Sequence, residues 1–265
     1  MPETLIEAAD VAIWYGARRA LGPLNLTVRR GEFWGIVGPN GAGKTTLLHA
    51  LAGLTPRVEG KLAVCGHSAC AMPRSQALRQ AVGVLLQHHD YVPEAPFTVE
   101  DVVGFGRTAL GTLGRRWLAS DRDAVERALG VLGLTGFRTR LYRELSGGER
   151  RKVQIARLLA QESELLLMDE PVAGLDMDWQ ERLTCLAGAL HCEHGKTVLF
   201  VTHDVANLPG CCTNVLLLNR GQTFAIGAPA EVLCPDVLSR LYGCPICVER
   251  RGDRYVAFAK PESAG

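Results

Sequence analysis

The stretch GPNGAGKTT, residues 38–46, lies between an apolar run, FWGIV (33–37), and a leucine-rich segment, LLHALAGL (47–54). It fits G-x-x-x-x-G-K-[ST] at every specified position. The glycines let the backbone curl so that successive N–H groups face an anion. A helix starting behind them adds the positive end of its dipole, and Leu47, Leu48, Leu51 and Leu54 recur at helical spacing. Gly38, Pro39, Asn40, Gly41, Ala42, Gly43 and Thr46 are therefore expected to form a phosphate cradle. Lys44 is expected to reach the β- and γ-phosphates of a nucleotide, and the Thr45 hydroxyl to ligate Mg²⁺.

Phosphoryl transfer also needs a carboxylate for the metal and a group that activates water. ELLLMDEP (164–171) supplies both at the end of a buried run. Asp169 is placed to hold Mg²⁺ through its water shell, and Glu170 to act as general base. Desolvating such a pair is costly, which favours a working role over a mere turn before Pro171. These parts alone fit kinases, GTPases and helicases equally well. A further segment, LSGGERRKVQIARLLAQ (145–161), narrows the choice. Ser146 with Glu149 reads as a capping box. Gly147 and Gly148 at the same helix start expose N–H groups for a second anion. Two phosphate-facing helix starts so far apart in sequence need not serve one nucleotide in the same copy.

The rest of the chain reads as strands alternating with helices. LNLTV (24–28) alternates apolar and polar, and AVGVLL (81–86), ELLLM (164–168), TVLFV (197–201) and NVLLL (214–218) are strand-like. ELLLM and TVLFV are apolar throughout, as parallel strands covered on both faces are. Helical stretches, including ERRKVQIARLLAQ and DWQERLTCLAGALH, separate the strands, which argues for a three-layer α/β core. Residues 88–143 show little sign of a core strand and carry the helical pattern SDRDAVERALGVLGL, so they read as a mainly helical insertion. The tail PICVERRGDRYVAF reads as a hairpin turning at Arg251-Gly252-Asp253.

Composition excludes several classes. The 265 residues carry 29 Lys and Arg against 28 Asp and Glu, so no global basic field invites nucleic acid. No apolar run approaches the length of a membrane span, and MPETLIEAAD lacks the pattern of a signal peptide. The expected place is the cytosol, where the nine cysteines are expected as free thiols.

At this point the chain resembles the ATP-binding cassette (ABC) ATPases over nearly its whole length. GPNGAGKT resembles their Walker A loop, LSGGE their signature, LLLMDE their Walker B strand and AGLD (173–176) their D-loop. Gln87 matches the Q-loop glutamine, His203 the switch histidine, and Tyr15 the aromatic that stacks on adenine. Val172, where Thr is common, and AGLD, where SALD is common, depart from the pattern without touching a phosphate, metal or base ligand. The resemblance implies an α/β P-loop NTPase core of three layers, with an N-terminal antiparallel β subdomain and an inserted α-helical subdomain. It implies a single domain over 1–265, with the insertion at about 88–160 and the hairpin at about 244–260. It further implies ATP and Mg²⁺ as cofactors and a head-to-tail dimer in which Ser146, Gly147 and Gly148 of one copy meet the nucleotide on the other. In that arrangement His203 contacts the γ-phosphate in cis, and Gln87 links Mg²⁺ and the attacking water to the insertion.

Such a switch drives either transport or work on nucleic acid. A single cassette without a long insertion or a basic stripe favours the motor subunit of a membrane transporter, peripheral on the inner face and bound to a separate permease. TVEDVV followed by GFGR, and LYG before a short strand pair, are similar to importers of metal ions and metal chelates, which a substrate-binding protein feeds through the permease. Export of a lipid or drug is the alternative within transport. Residues 88–110, with Tyr91 and Phe97, are the expected permease groove or else packing within the insertion. Arg107, Arg115 and Arg116 are expected on a solvated face, the alternative being contact with anionic lipid or the permease. His88 and His89 read as loop residues, His191-Cys192-Glu193-His194 as a helix end, and Cys244-Pro-Ile-Cys247 as lacking a partner pair for zinc.

Overall fold

The computed structural model describes residues 3–55, 57–70, 75–87, 96–108 and 116–260. Strands β1 (Thr4–Tyr15) and β2 (Arg18–Arg29) form a long antiparallel hairpin. On the other side of β1 lies β4 (Arg57–Val64), and β5 (His67–Ser68) extends the sheet to four strands. Sequence pattern points to residues 24–28 of this sheet alone. The reason lies in β1, whose pairing shifts register around Asp10, a residue with φ 50°. A bulge breaks the two-residue alternation that marks a strand. Gly60 on β4 makes room for it, since a Cβ there would stand 2.4 Å from the Asp10 carbonyl oxygen.

The second sheet contains β3 (Phe33–Val37), β6 (Val82–Leu85), β7 (Leu165–Asp169), β8 (Thr197–Thr202), β9 (Asn214–Asn219) and β10 (Gln222–Gly227). Its order is β10-β9-β3-β8-β7-β6, all parallel except β10. The three central strands are buried at every position, and successive residues feed opposite layers. On β3, Phe33 and Val37 join one apolar cluster while Trp34 and Ile36 join the other. On β8 the same division separates Val198 and Phe200 from Leu199 and Val201.

Helix α1 (Lys44–Leu51) fills the layer between the two sheets, with Leu47, Leu48 and Leu51 completely buried. A short α2 (Gln76–Ala81), capped by the Ser75 side chain, leads into β6. The opposite face of the six-stranded sheet is covered by helices. Of these, α5 (Gly147–Ala160) and α6 (Met177–Cys192) lie against its strands, while α3 (Val99–Arg107) and α4 (Ala119–Val131) pack on α5. Between β6 and β7 the described elements are helical. The chain continues through α7 (Pro229–Val232) and α8 (Pro235–Tyr242) to the hairpin of β11 (Ile246–Arg251) and β12 (Arg254–Ala259). Arg254 anchors that hairpin to α6 through a bidentate pair with Glu181, at 2.7 and 2.8 Å.

Arg107 corrects an expectation. Instead of lying on a solvated face it is buried, donating to Asp121 at 3.0 Å, to the Ala160 carbonyl at 2.9 Å and to Glu162 at 2.8 Å. The insertion thereby ties its first helix to the end of α5. Arg116 and Phe97 are exposed, the Phe97 ring standing edge-on to Phe105 at 5.0 Å. His88, His89, Tyr91 and Arg115 lie outside the described residues.

Candidate nucleotide site

The loop between β3 and α1 shows why its glycines are where they are. A Cβ on Gly38 would meet the Leu218 carbonyl oxygen at 2.2 Å, and Gly43 has φ 101°, a conformation strained for any other residue. Gly43 caps α1 with no side-chain bond and no acidic residue in the first turn, so the N–H groups there stay open to an anion. Beside the loop is a cavity of about 540 Å³. Tyr15, Asn40, Gly41, Ala42, Gly43, Lys44, Thr45, Thr46, Gln87 and Glu170 line it, all of them residues the sequence singles out. Arg18 and Ala20 line it too and have no sequence signal, because only the β1–β2 hairpin carries them there.

Lys44 is folded back onto its own loop. Its Nζ donates to the Gly38 carbonyl at 2.7 Å and to the Pro39 carbonyl at 3.1 Å. Burial lowers its pKa below the ordinary lysine value, against the opposing pull of Glu170 and Asp169. The two neutral carbonyls hold the ammonium where stronger anionic acceptors can replace them.

Asp169 ends β7 fully buried, and neither carboxylate oxygen has a hydrogen-bond partner among the described residues. Burial raises its pKa, with Thr45, His49 and Lys44 pulling it down and Glu170 adding to the rise. An unpartnered buried carboxylate beside a threonine hydroxyl, with Gln87 on the same cavity wall, is an all-oxygen donor set suited to a hard divalent cation. Next in the chain, Glu170 has φ 47°, left-handed and strained for a side chain of its size. That turn presents its carboxylate to the cavity, where Oε2 lies 2.7 Å from Nδ1 of His203. His203 follows β8, and its side chain is mostly exposed while that of Glu170 is buried.

Ser146, Gly147 and Gly148 do not line this cavity. They begin α5 through a complete capping box, in which Glu149 N–H donates to Ser146 Oγ at 3.3 Å and Ser146 N–H to the Glu149 carboxylate at 2.7 Å. Hydrogen bonds from Ser146 hold the Glu149 carboxyl below the usual range. Nothing lies within 4 Å of a Cβ built on Gly147, so this helix start faces open space.

Residues 21–173 match the sequence model of the ABC transporter family. The chain belongs to that family and is an ATP-binding cassette with ATPase activity. It is 33% identical over 242 residues to the petrobactin import ATP-binding protein of Bacillus anthracis, covering 91% of this chain and 88% of that one. With the hemin import ATP-binding protein of Thermobifida fusca it shares 38% over 234 residues, 86% of this chain and 78% of the other. A solved ABC transporter of the metal-chelate type, inward-facing, aligns with TM-score 0.80 and 26% identity over 99% of both chains. A dimeric ATP-binding cassette bound to ADP and phosphate after hydrolysis aligns at 0.74 and 26%, covering 84% of this chain and 98% of that one.

One residue of this cassette escapes motif reading altogether. Arg151, two positions beyond the signature glutamate, is buried and sends its guanidinium to four backbone carbonyls. Three belong to the end of β7: Pro171 at 3.1 Å, Asp169 at 2.9 Å and Glu170 at 2.8 Å. The last is Leu86, at 2.8 Å, immediately before Gln87. The planar fork thus joins the signature helix to the Walker B turn and to the Q-loop. Its pKa is pushed down to about 10 by burial, opposed by Asp169 and Glu170. At that value it remains charged at neutral pH.

Proposed function

We propose that this cassette is the ATP-driven motor of an importer for a metal chelate of the haem or siderophore kind. The observation that carries the reading is the reach of the likeness to import proteins, 86–91% of the chain, well beyond the residues 21–173 of the family match. In this reading the chain forms one domain, with residues 88–160 as the insertion that meets a permease and 244–260 as a terminal hairpin. Among the described residues no helix is long and apolar enough to cross a membrane, so the permease provides the path. The cassette then works on the cytoplasmic face, and a substrate-binding protein delivers the chelate to the other side.

The residues take the following roles. Tyr15 stacks on the adenine, and Gly38, Pro39, Asn40, Gly41, Ala42, Gly43 and Thr46 shape the cradle for the phosphates. Lys44 exchanges the Gly38 and Pro39 carbonyls for β- and γ-phosphate oxygens. Thr45 and Asp169, with Gln87 beside them, would hold Mg²⁺, which would supply positive charge against the phosphates of the nucleotide. Glu170 takes a proton from the attacking water, oriented by its contact with His203, which also meets the γ-phosphate. In a head-to-tail dimer, Ser146, Gly147 and Gly148 of each copy close the cavity of the other. ATP holds the copies together and hydrolysis releases them.

The test compares the metal content of metal-limited cells carrying the native chain or Glu170→Gln, by elemental analysis, with haem and a ferric siderophore as iron sources. A selective metal deficit in the mutant is the expected outcome. Equal content of iron, zinc, manganese and cobalt in both would overturn import of a metal chelate and leave export, or import of a metal-free solute.

A further inference from the structure

The end of α6 gathers soft ligand groups that the nucleotide chemistry does not use. His191 and Cys192 close that helix, and Cys211 comes from the loop before β9. One ring nitrogen of His191 and the two thiol sulfurs all lie within 4.8 Å of one another. Their spacing in the sequence is unlike that of a zinc motif, so only the fold discloses the group.

Two of the three are held from different sides. The Cys211 sulfur is 4.0 Å from the Gly188 carbonyl oxygen, and a Cβ on Gly188 would lie 3.4 Å from it, so the loop sits directly on the last turns of α6. Cys212 is turned away, its thiol 3.2 Å from the Asn214 carbonyl oxygen. The His191 ring stands edge-on to Phe33, and its Nδ1 is 3.4 Å from the Lys196 carbonyl oxygen. An imidazole engaged at Nδ1 by a backbone carbonyl ligates through Nε2, the usual arrangement around a bound metal. Cys192 is exposed, so an ion has a way in and the side chain has room to turn. The turn of the terminal hairpin packs on the same loop. The Asp253 carboxylate packs against Gly210, where a Cβ would stand 2.0 Å from its Oδ2.

We propose that His191, Cys192 and Cys211 form a binding site for a thiophilic divalent cation of the zinc class. The fourth position of a tetrahedral shell falls to water. Metal–ligand bonds of about 2.0–2.3 Å require the three donor atoms to draw somewhat closer than 4.8 Å. A shift on the order of 1 Å in the exposed Cys192 and the loop-borne Cys211 achieves that. Two thiolates and an imidazole discriminate against Mg²⁺, which prefers oxygen, so this site and the nucleotide site do not compete for the same ion. Bound metal would fasten the loop, and through Asp253 the hairpin, to the end of the helix that begins at the D-loop.

The test uses the full chain, reduced and stripped with a chelator, then titrated with Co²⁺ and with Zn²⁺. We expect one equivalent of either per chain and, for Co²⁺, a thiolate-to-metal charge-transfer band with tetrahedral ligand-field bands. Cys192→Ser lies at an exposed position and should fold normally while binding Zn²⁺ at least about tenfold more weakly, a loss in the range seen even for groups outside the ligand shell. Its basal ATPase rate should be unchanged. Cys244→Ser/Cys247→Ser serves as the control and should bind like the native chain. A cobalt spectrum without the thiolate band would overturn the proposal. So would Zn²⁺ affinity unaltered by Cys192→Ser, binding that disappears in the control, or a reduced chain that takes up no metal.

Discussion

On the proposed reading the cavity beside α1 and the N-terminus of α5 both meet phosphate, yet they are finished to different degrees. The cavity is enclosed by the P-loop, Tyr15, Gln87 and Glu170, with the unpartnered Asp169 carboxylate buried behind it. The start of α5 is exposed and already satisfied internally by the Ser146–Glu149 capping box. A helix N-terminus in open solvent binds anions weakly, because water competes for every N–H. On the proposed reading, one copy holds a nucleotide by itself, whereas the second phosphate contact waits for another molecule to exclude the water.

That contrast can be broken at either end. Lys44→Ala should weaken ATP binding at least about a hundredfold, since it removes charge-assisted bonds of about 1.5–3 kcal/mol each; near-native affinity by calorimetry would remove Lys44 from the phosphate cradle. Glu170→Gln should keep ATP binding but slow turnover at least about a hundredfold, the scale of losing a general base. Native turnover in that variant would place the proton acceptor elsewhere. Ser146→Arg should leave affinity of the single copy within about twofold while abolishing ATP-driven dimerisation, read by light scattering. Normal dimerisation would show that the two faces do not meet.

Two smaller effects sharpen the picture. Arg151→Met takes a donor from four backbone carbonyls, that of Glu170 keeping the Ala173 N–H at 3.1 Å, and buried acceptors left stranded cost about 1–3 kcal/mol each before relaxation. We expect a stability loss of at least about 2 kcal/mol by denaturant titration, little restored by Arg151→Lys, whose point charge cannot reproduce the fork. Tyr15→Ala should weaken ATP binding by about tenfold, toward the low end of base stacking because the ring is half exposed.

How legible each part was depends on how local its cause is. The P-loop could be read because glycine positions dictate its curl, and the strands β7 and β8 because unbroken apolar runs belong to sheets covered on both faces. The strand β1 was obscured by the bulge at Asp10. Arg107 looked like one of several surface arginines; its partners Asp121 and Glu162 come from two other segments. Arg151 carries no motif because it recognises carbonyl oxygens, which every residue has. His191 and Cys192 read as an ordinary helix end until Cys211 was brought against them.

From its residues alone this chain specified a phosphate-binding loop, a strand ending in paired carboxylates, a second glycine-rich helix start and their order. Each follows from the backbone and side-chain chemistry of a few neighbouring positions. Tertiary structure alone decided that His203 meets Glu170, that Arg151 spans α5, β7 and the Q-loop, and that a histidine and two cysteines converge behind the sheet. Those contacts join segments remote in the chain, and their geometry is set by how the layers pack around the shared core.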